Sequence, residues 1–185
     1  MARSTLKSDF LADLQTRIDQ HRHLVTGIFQ PLDAAALAWQ PDPREWNILQ
    51  CFEHNVQTHD YYAPKIARAL QSPALSQGAG DTVQPSFWGR IYMHFAFNPR
   101  YSFPTAAAIT PSQGLDRTIL DTYLHKQDAL SAILDQLAPV DLQHTPVPLE
   151  KGIRFSLGDC LKILVYHDGL HIDQAQRVLN QYRQT

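Results

Sequence analysis

Cysteine is scarce in this chain, long apolar runs are missing and neither sign of charge is in excess, and each of these lacks closes off a class of function. The two cysteines, Cys51 and Cys160, lie far apart and form no C-x-x-C. Neither a thiolate zinc site nor a redox dithiol is written in them, and both read as small buried apolar groups of a reduced, cytoplasmic chain. No apolar stretch approaches the roughly 20 residues that a membrane helix requires, and Met1-Ala2-Arg3-Ser4 leads into a mixed pattern unlike a signal peptide. Sixteen Lys+Arg against eighteen Asp+Glu give a formal charge of −2 without a basic block. A nucleic-acid or anionic-membrane partner therefore has no electrostatic support. What is present is 44% hydrophobic residues in 185, enough for one self-sufficient domain spanning 1–185, together with nine histidines.

Apolar periodicity and punctuation predict an all-α protein, a four-helix bundle with long crossover connections. Thr5 or Ser8 is expected to cap a first helix carrying Phe10, Leu14, Ile18 and Val25 and ending before Pro31. After the Pro41-Asp42-Pro43 turn and Trp46, Asn47 reads as the cap of a second helix through Ile48, Phe52, Val56, Ile66 and Leu70, with Pro64 inside it as a kink. Residues 71–84 read as a loop. The aromatic stretch Phe87–Phe97 is expected to be a short helix that lids a site or packs against a partner, such as a second copy in a homodimer. Three X-Pro pairs, at 98–99, 103–104 and 110–111, then return the chain to irregular structure. Ser112 is expected to cap a third helix stopped by Pro139, and residues 139–154 to hold a short extended pair around Pro146 and Arg154. Ser156 should cap the last helix.

His167 and His171 stand four apart, so on a helix they point roughly 40° from one another about 6 Å apart along the axis. They share the stripe of Leu161, Leu164, Ala175 and Val178, and two core-facing imidazoles are costly to desolvate unless each finds a hydrogen bond or both share a cation. The bland alternative satisfies one with backbone or water and leaves the other at a polar edge. The spacing also matches H-E-x-x-H, but Asp168 and Gly169 fill the intervening positions and weaken a zincin reading. A third ligand is missing. On the second helix His54 and His59 diverge by about 140°, so only one can serve, and periodicity alone slightly favours His59.

Trp46-Asn47-Ile48-Leu49-Gln50-Cys51-Phe52-Glu53-His54 and His167-Asp168-Gly169-Leu170-His171-Ile172-Asp173-Gln174 resemble, in this order, the two signature regions of the DinB-like superfamily. These are the bacterial damage-inducible and YfiT-like four-helix proteins, and the resemblance extends over nearly the whole chain. Its second-helix ligand lies eight residues after the tryptophan, which implies His54 in place of His59 and a three-histidine metal site of His54, His167 and His171. Asn47 replaces the usual serine and can still cap the helix. The resemblance also implies that Gln174 orients a ligand or bound water, and leaves His59 a role nearby.

Three neutral imidazoles would leave a divalent ion, zinc or nickel foremost, its full charge for ionising a water or thiol in an open position. Relatives that use bacillithiol, mycothiol or glutathione make a thiol transferase the leading expectation, with a low-molecular-weight thiol as cofactor and a small-molecule electrophile as substrate. Metal-dependent hydrolysis and a non-catalytic, stress-associated metal-binding protein are the alternatives; the last needs a fourth ligand from His94, His125 or Glu53. Tyr61, Tyr92, Tyr123 and Arg90 are candidates to line a pocket above the ion, and His21, His23 and His144 read as solvated surface.

Overall fold

Where each helix starts is decided by whatever satisfies its first free N–H groups. The structure, a computed structural model, describes residues 4–72, 80–98, 109–149 and 154–185. Residues 73–79 of the loop expected over 71–84, Pro99, the X-Pro pair at 103–104 and Gly152 lie outside the described residues.

The chain opens with β1 (Thr5–Leu6) and α1 (Lys7–Leu24), which runs on into a π-helical turn at Val25–Phe29. Neither expected residue caps α1. Thr5 lies in β1, paired antiparallel with β2 (Thr82–Val83), and Lys7 N–H donates to the Asp81 carbonyl at 2.8 Å, while the Ser8 hydroxyl donates to Asp9. Two-residue strands carry no alternation, so this long-range substitute for a cap leaves no trace in the pattern. The Ala-rich turn is a single helical turn, α2 (Ala34–Ala38), capped by Asp33.

α3 (Ile48–Leu70) starts as expected, with a reciprocal capping box in which Asn47 Oδ1 accepts from Gln50 N at 2.8 Å and Gln50 Oε1 accepts from Asn47 N at 3.0 Å. α4 (Phe87–Ala96) is capped by Ser86. α5 (Thr118–Leu134) starts five residues later than the Ser112 cap predicts. Ser112 instead gives its N–H and hydroxyl to the Glu53 carboxylate, and Asp116 Oδ1 takes the N–H of Thr118 at 2.8 Å. The expected extended pair is present as β3 (Pro146–Pro148) against β4 (Arg154–Ser156), antiparallel. α6 (Leu157–Tyr182) follows, capped by Ser156.

The four long helices α1, α3, α5 and α6 make the all-α bundle. Its apolar interior is in two parts. One gathers Phe10, Leu14 and Ile18 of α1, Tyr62 and Ile66 of α3, Leu130 and Leu134 of α5, and Leu161 and Leu164 of α6. The other gathers Val25 and Phe29, Ile48 and Phe52, Leu120 and Tyr123, and Ile172, Ala175 and Val178. Each helix thus crosses from one apolar half to the other, and at the crossing each presents buried polar groups: His21 of α1, His54, Asn55, Thr58 and His59 of α3, Gln127 of α5 and Asp168 of α6. His21 is not solvated surface, as its residue type led us to expect. It continues the Phe10–Leu14–Ile18 series and packs over Gly169, where a Cβ would come 3.3 Å from its Nε2. Glycine, which costs about 1 kcal/mol relative to alanine in mid-helix, leaves room there for the ring to lie close to the α6 backbone.

Candidate metal centre

The polar layer opens on one side into a group of three imidazoles. α3 contributes His54, eight residues after Trp46 in the capped first turns, and α6 contributes His167 and His171. One ligand atom from each lies within 4.8 Å of the others, and among the described residues no further His, Cys, Asp or Glu joins them. His54 Nε2 and His167 Nε2 are 3.2 Å apart. Two bare lone pairs at that separation repel unless a proton or a cation lies between them. Two nitrogens bound at 2.0–2.1 Å to one tetrahedral ion would sit about 3.3 Å apart, so the spacing suits ligation.

Tautomers are fixed from behind. His54 Nδ1 donates to the Ile109 carbonyl at 2.7 Å, and His171 Nδ1 donates to Gln174 Oε1 at 2.9 Å. Both acceptors are oxygens without a proton to give, so Nδ1 carries the hydrogen and Nε2 keeps its lone pair free. His167 Nδ1 is buried without a partner among the described residues. Burial pushes all three pKa values down, His54 below its ordinary value, His167 well below it and His171 to about 4; the neighbouring imidazoles add to the effect for His167 and His171. The rings are therefore neutral near pH 7, the state a metal requires. The Trp46 indole walls the group, its ring 4.9 Å from His54 and 5.6 Å from His171.

His59 is as buried as its place on the apolar stripe indicates, but it does not join the group. Its Nε2 meets Asp168 Oδ2 at 2.8 Å, and Gln127 Nε2 donates to the same oxygen at 2.7 Å. Asp168 thus faces the bundle interior and leaves the histidines no adjacent carboxylate of the zincin kind. Gln174 acts on His171 directly. None of the proposed fourth ligands arrives: Glu53 is spent on Ser112, His125 is exposed on α5, and the His94 ring packs on Phe95 in α4.

The expected pocket of tyrosines over the site is not formed. Tyr123 is wholly buried against Phe52 and His59, Tyr92 packs on Phe155, Tyr61 stacks on Tyr62, and Arg90 lies on α4. Nor does α4 show a contact with the three histidines. It lies on β4 and the first half of α6, where Gly89 touches Asp159 and Phe97 touches Tyr166, and it leaves Phe87 64% and Trp88 51% exposed. Both cysteine thiols are buried and pushed up by burial, Cys51 to about 12, which leaves them unreactive. Among the described residues no helix is long and apolar enough to cross a membrane.

An all-α bundle in which three neutral histidines from its second and last long helices converge fits a metal-binding protein. Residues 17–175 match the DinB superfamily, and the chain belongs to it. No curated protein and no solved structure gave a match.

Sequence reasoning overlooked Asn55, Gln127 and the Ile109 carbonyl as supports of this region. Gln127 had a signal, a lone amide within the Tyr123–Leu130–Leu134 stripe. The Ile109 carbonyl had none, because a main-chain acceptor has no residue type.

Proposed function

We propose that this protein binds one divalent cation, zinc or nickel, through Nε2 of His54, His167 and His171, and uses it to activate a low-molecular-weight thiol for transfer to a small electrophile. The convergence of three neutral imidazoles, which no further His, Cys, Asp or Glu joins among the described residues, carries the reading. A structural ion normally closes its shell with four protein ligands, whereas three leave one position for a reactant. When bound, the cation supplies Lewis acidity that lowers the pKa of the group in that position.

The chain's own residues do the rest. Ile109 and Gln174 hold the His54 and His171 rings in the tautomer that offers Nε2, and Trp46 excludes solvent from one side of both rings. Three uncharged ligands leave the cation's charge undiminished, which favours an anionic thiolate over a neutral thiol at the site.

Elemental analysis of the purified protein beside His54→Ala is the first test, with one equivalent of metal expected in the wild type and loss in the variant. A panel of bacillithiol, mycothiol and glutathione with an epoxide or chlorinated acceptor tests the transfer. Turnover with water alone would make the protein a hydrolase, and a loaded protein inert to every pair would leave metal binding without catalysis.

A further inference from the structure

Asp168 is wholly buried and is the point at which the polar layer is tied together. Its Oδ2 is held from α3 by His59 at 2.8 Å and from α5 by Gln127 at 2.7 Å, and its main-chain carbonyl accepts from Asn55 Nδ2 of α3 at 3.2 Å. The attachments fall immediately beside the ligands, since Asp168 follows His167 and Asn55 follows His54. Successive residues on a helix diverge by about 100°, so while His167 turns toward the metal position Asp168 turns into the bundle, and a rigid backbone joins the two.

We infer that Asp168 is a positioning residue for the metal site, a clamp that sets the separation of α3 and α6 and the rotation of α6 so that His167 Nε2 meets His54 Nε2. The inference rests on the metal reading of the three histidines. A metal–nitrogen bond tolerates about 0.2 Å of error. Apolar contacts in the two core halves allow larger sliding than that, because they have no direction. Hydrogen bonds fixed in length and angle do not, and among the described residues those between α3 and α6 outside the histidine group end on Asp168. An alanine at 168 would leave His59 and Gln127 without their shared acceptor and free α6 to turn.

The test compares wild type, Asp168→Ala, Asp168→Asn and Asn55→Ala. Metal-free folding is followed by circular dichroism, zinc affinity by competition with a chromophoric chelator, and ligand geometry by the visible spectrum of the cobalt(II) form. Asp168→Ala should stay helical, bind zinc 10–100-fold more weakly and shift the cobalt bands, and Asp168→Asn, which keeps the shape and one acceptor oxygen, should recover most of the affinity. A variant that only melts earlier, with zinc affinity within about twofold of wild type and an unchanged cobalt spectrum, overturns the clamp. Should Asp168→Ala fail to fold, Asn55→Ala removes the carbonyl contact alone: about tenfold weaker zinc binding supports the inference and unchanged binding refutes it. Wild type that takes up no zinc would defeat the metal reading separately. The His54–His167 nitrogen separation in a crystal of metal-free Asn55→Ala then decides the clamp, widening supporting it and retention of the 3.2 Å spacing overturning it.

Discussion

Three imidazoles that resist protonation make metal-free protein sensitive to mild acid, and His171 gives this a magnitude. In the unfolded chain its pKa is the ordinary 6.5, and burial takes it to about 4 in the fold. A histidine depressed in this way contributes its full stability above pH 6.5, because neither state then holds the proton. As pH falls, the unfolded chain takes up a proton that the folded one refuses, and the loss is complete only near the folded pKa. At about 1.4 kcal/mol for each pH unit across that window, His171 alone costs ~3 kcal/mol. This is a large part of the 5–15 kcal/mol typical of a domain.

The assay is urea denaturation of chelator-stripped protein between pH 7 and pH 4, wild type beside His171→Gln. Carboxylates titrate alike in both, so the difference between the two curves reports His171 together with its coupling to the neighbouring imidazoles. The variant should lose ~3 kcal/mol less than wild type over that range. Parallel curves would refute the claim that burial holds this ring neutral.

Gln174→Leu should fold normally but bind zinc about 10-fold more weakly by chelator competition, since His171 Nδ1 loses its acceptor. Nickel or copper should quench Trp46 fluorescence, and Trp46→Phe should abolish most of the metal-dependent change while Trp88→Phe leaves it intact, because only Trp46 packs on the ligand rings. Gly89→Ala places a Cβ 2.2 Å from the Asp159 carboxylate. It should lower stability by about 1–3 kcal/mol in thermal melts while leaving zinc affinity unchanged.

The sequence alone determined the helices that begin with their own caps and the histidine pair that shares one helix. Asn47-Ile48-Leu49-Gln50 and Ser156-Leu157-Gly158-Asp159 carry complete capping boxes within four residues, and His167 and His171 are neighbours by helical pitch whatever surrounds them. Local physics settles such features, so local pattern displays them. The choice between His54 and His59 was of another kind. Both are buried, at 4% and 2% exposure, and periodicity sees burial without seeing the partner. The ordered resemblance implied His54, and α6 decides which histidine joins the group: it turns His167 toward the His54 ring and Asp168 toward His59.

The same division holds at the ends of α1 and α5, whose first N–H groups are met by chain distant in sequence or by Asp116, leaving Thr5 and Ser112 to other bonds. His21 lies between the two kinds. Its residue type pointed to the surface although it continues the Phe10–Leu14–Ile18 series, and only the approach of α1 to Gly169 shows that it is buried and against what. Hydrogen-bond partners between helices depend on rotation and separation, which are fixed by the packing of all four at once. A one-dimensional pattern therefore names the groups that enter the interior, and the tertiary structure decides which of them meet.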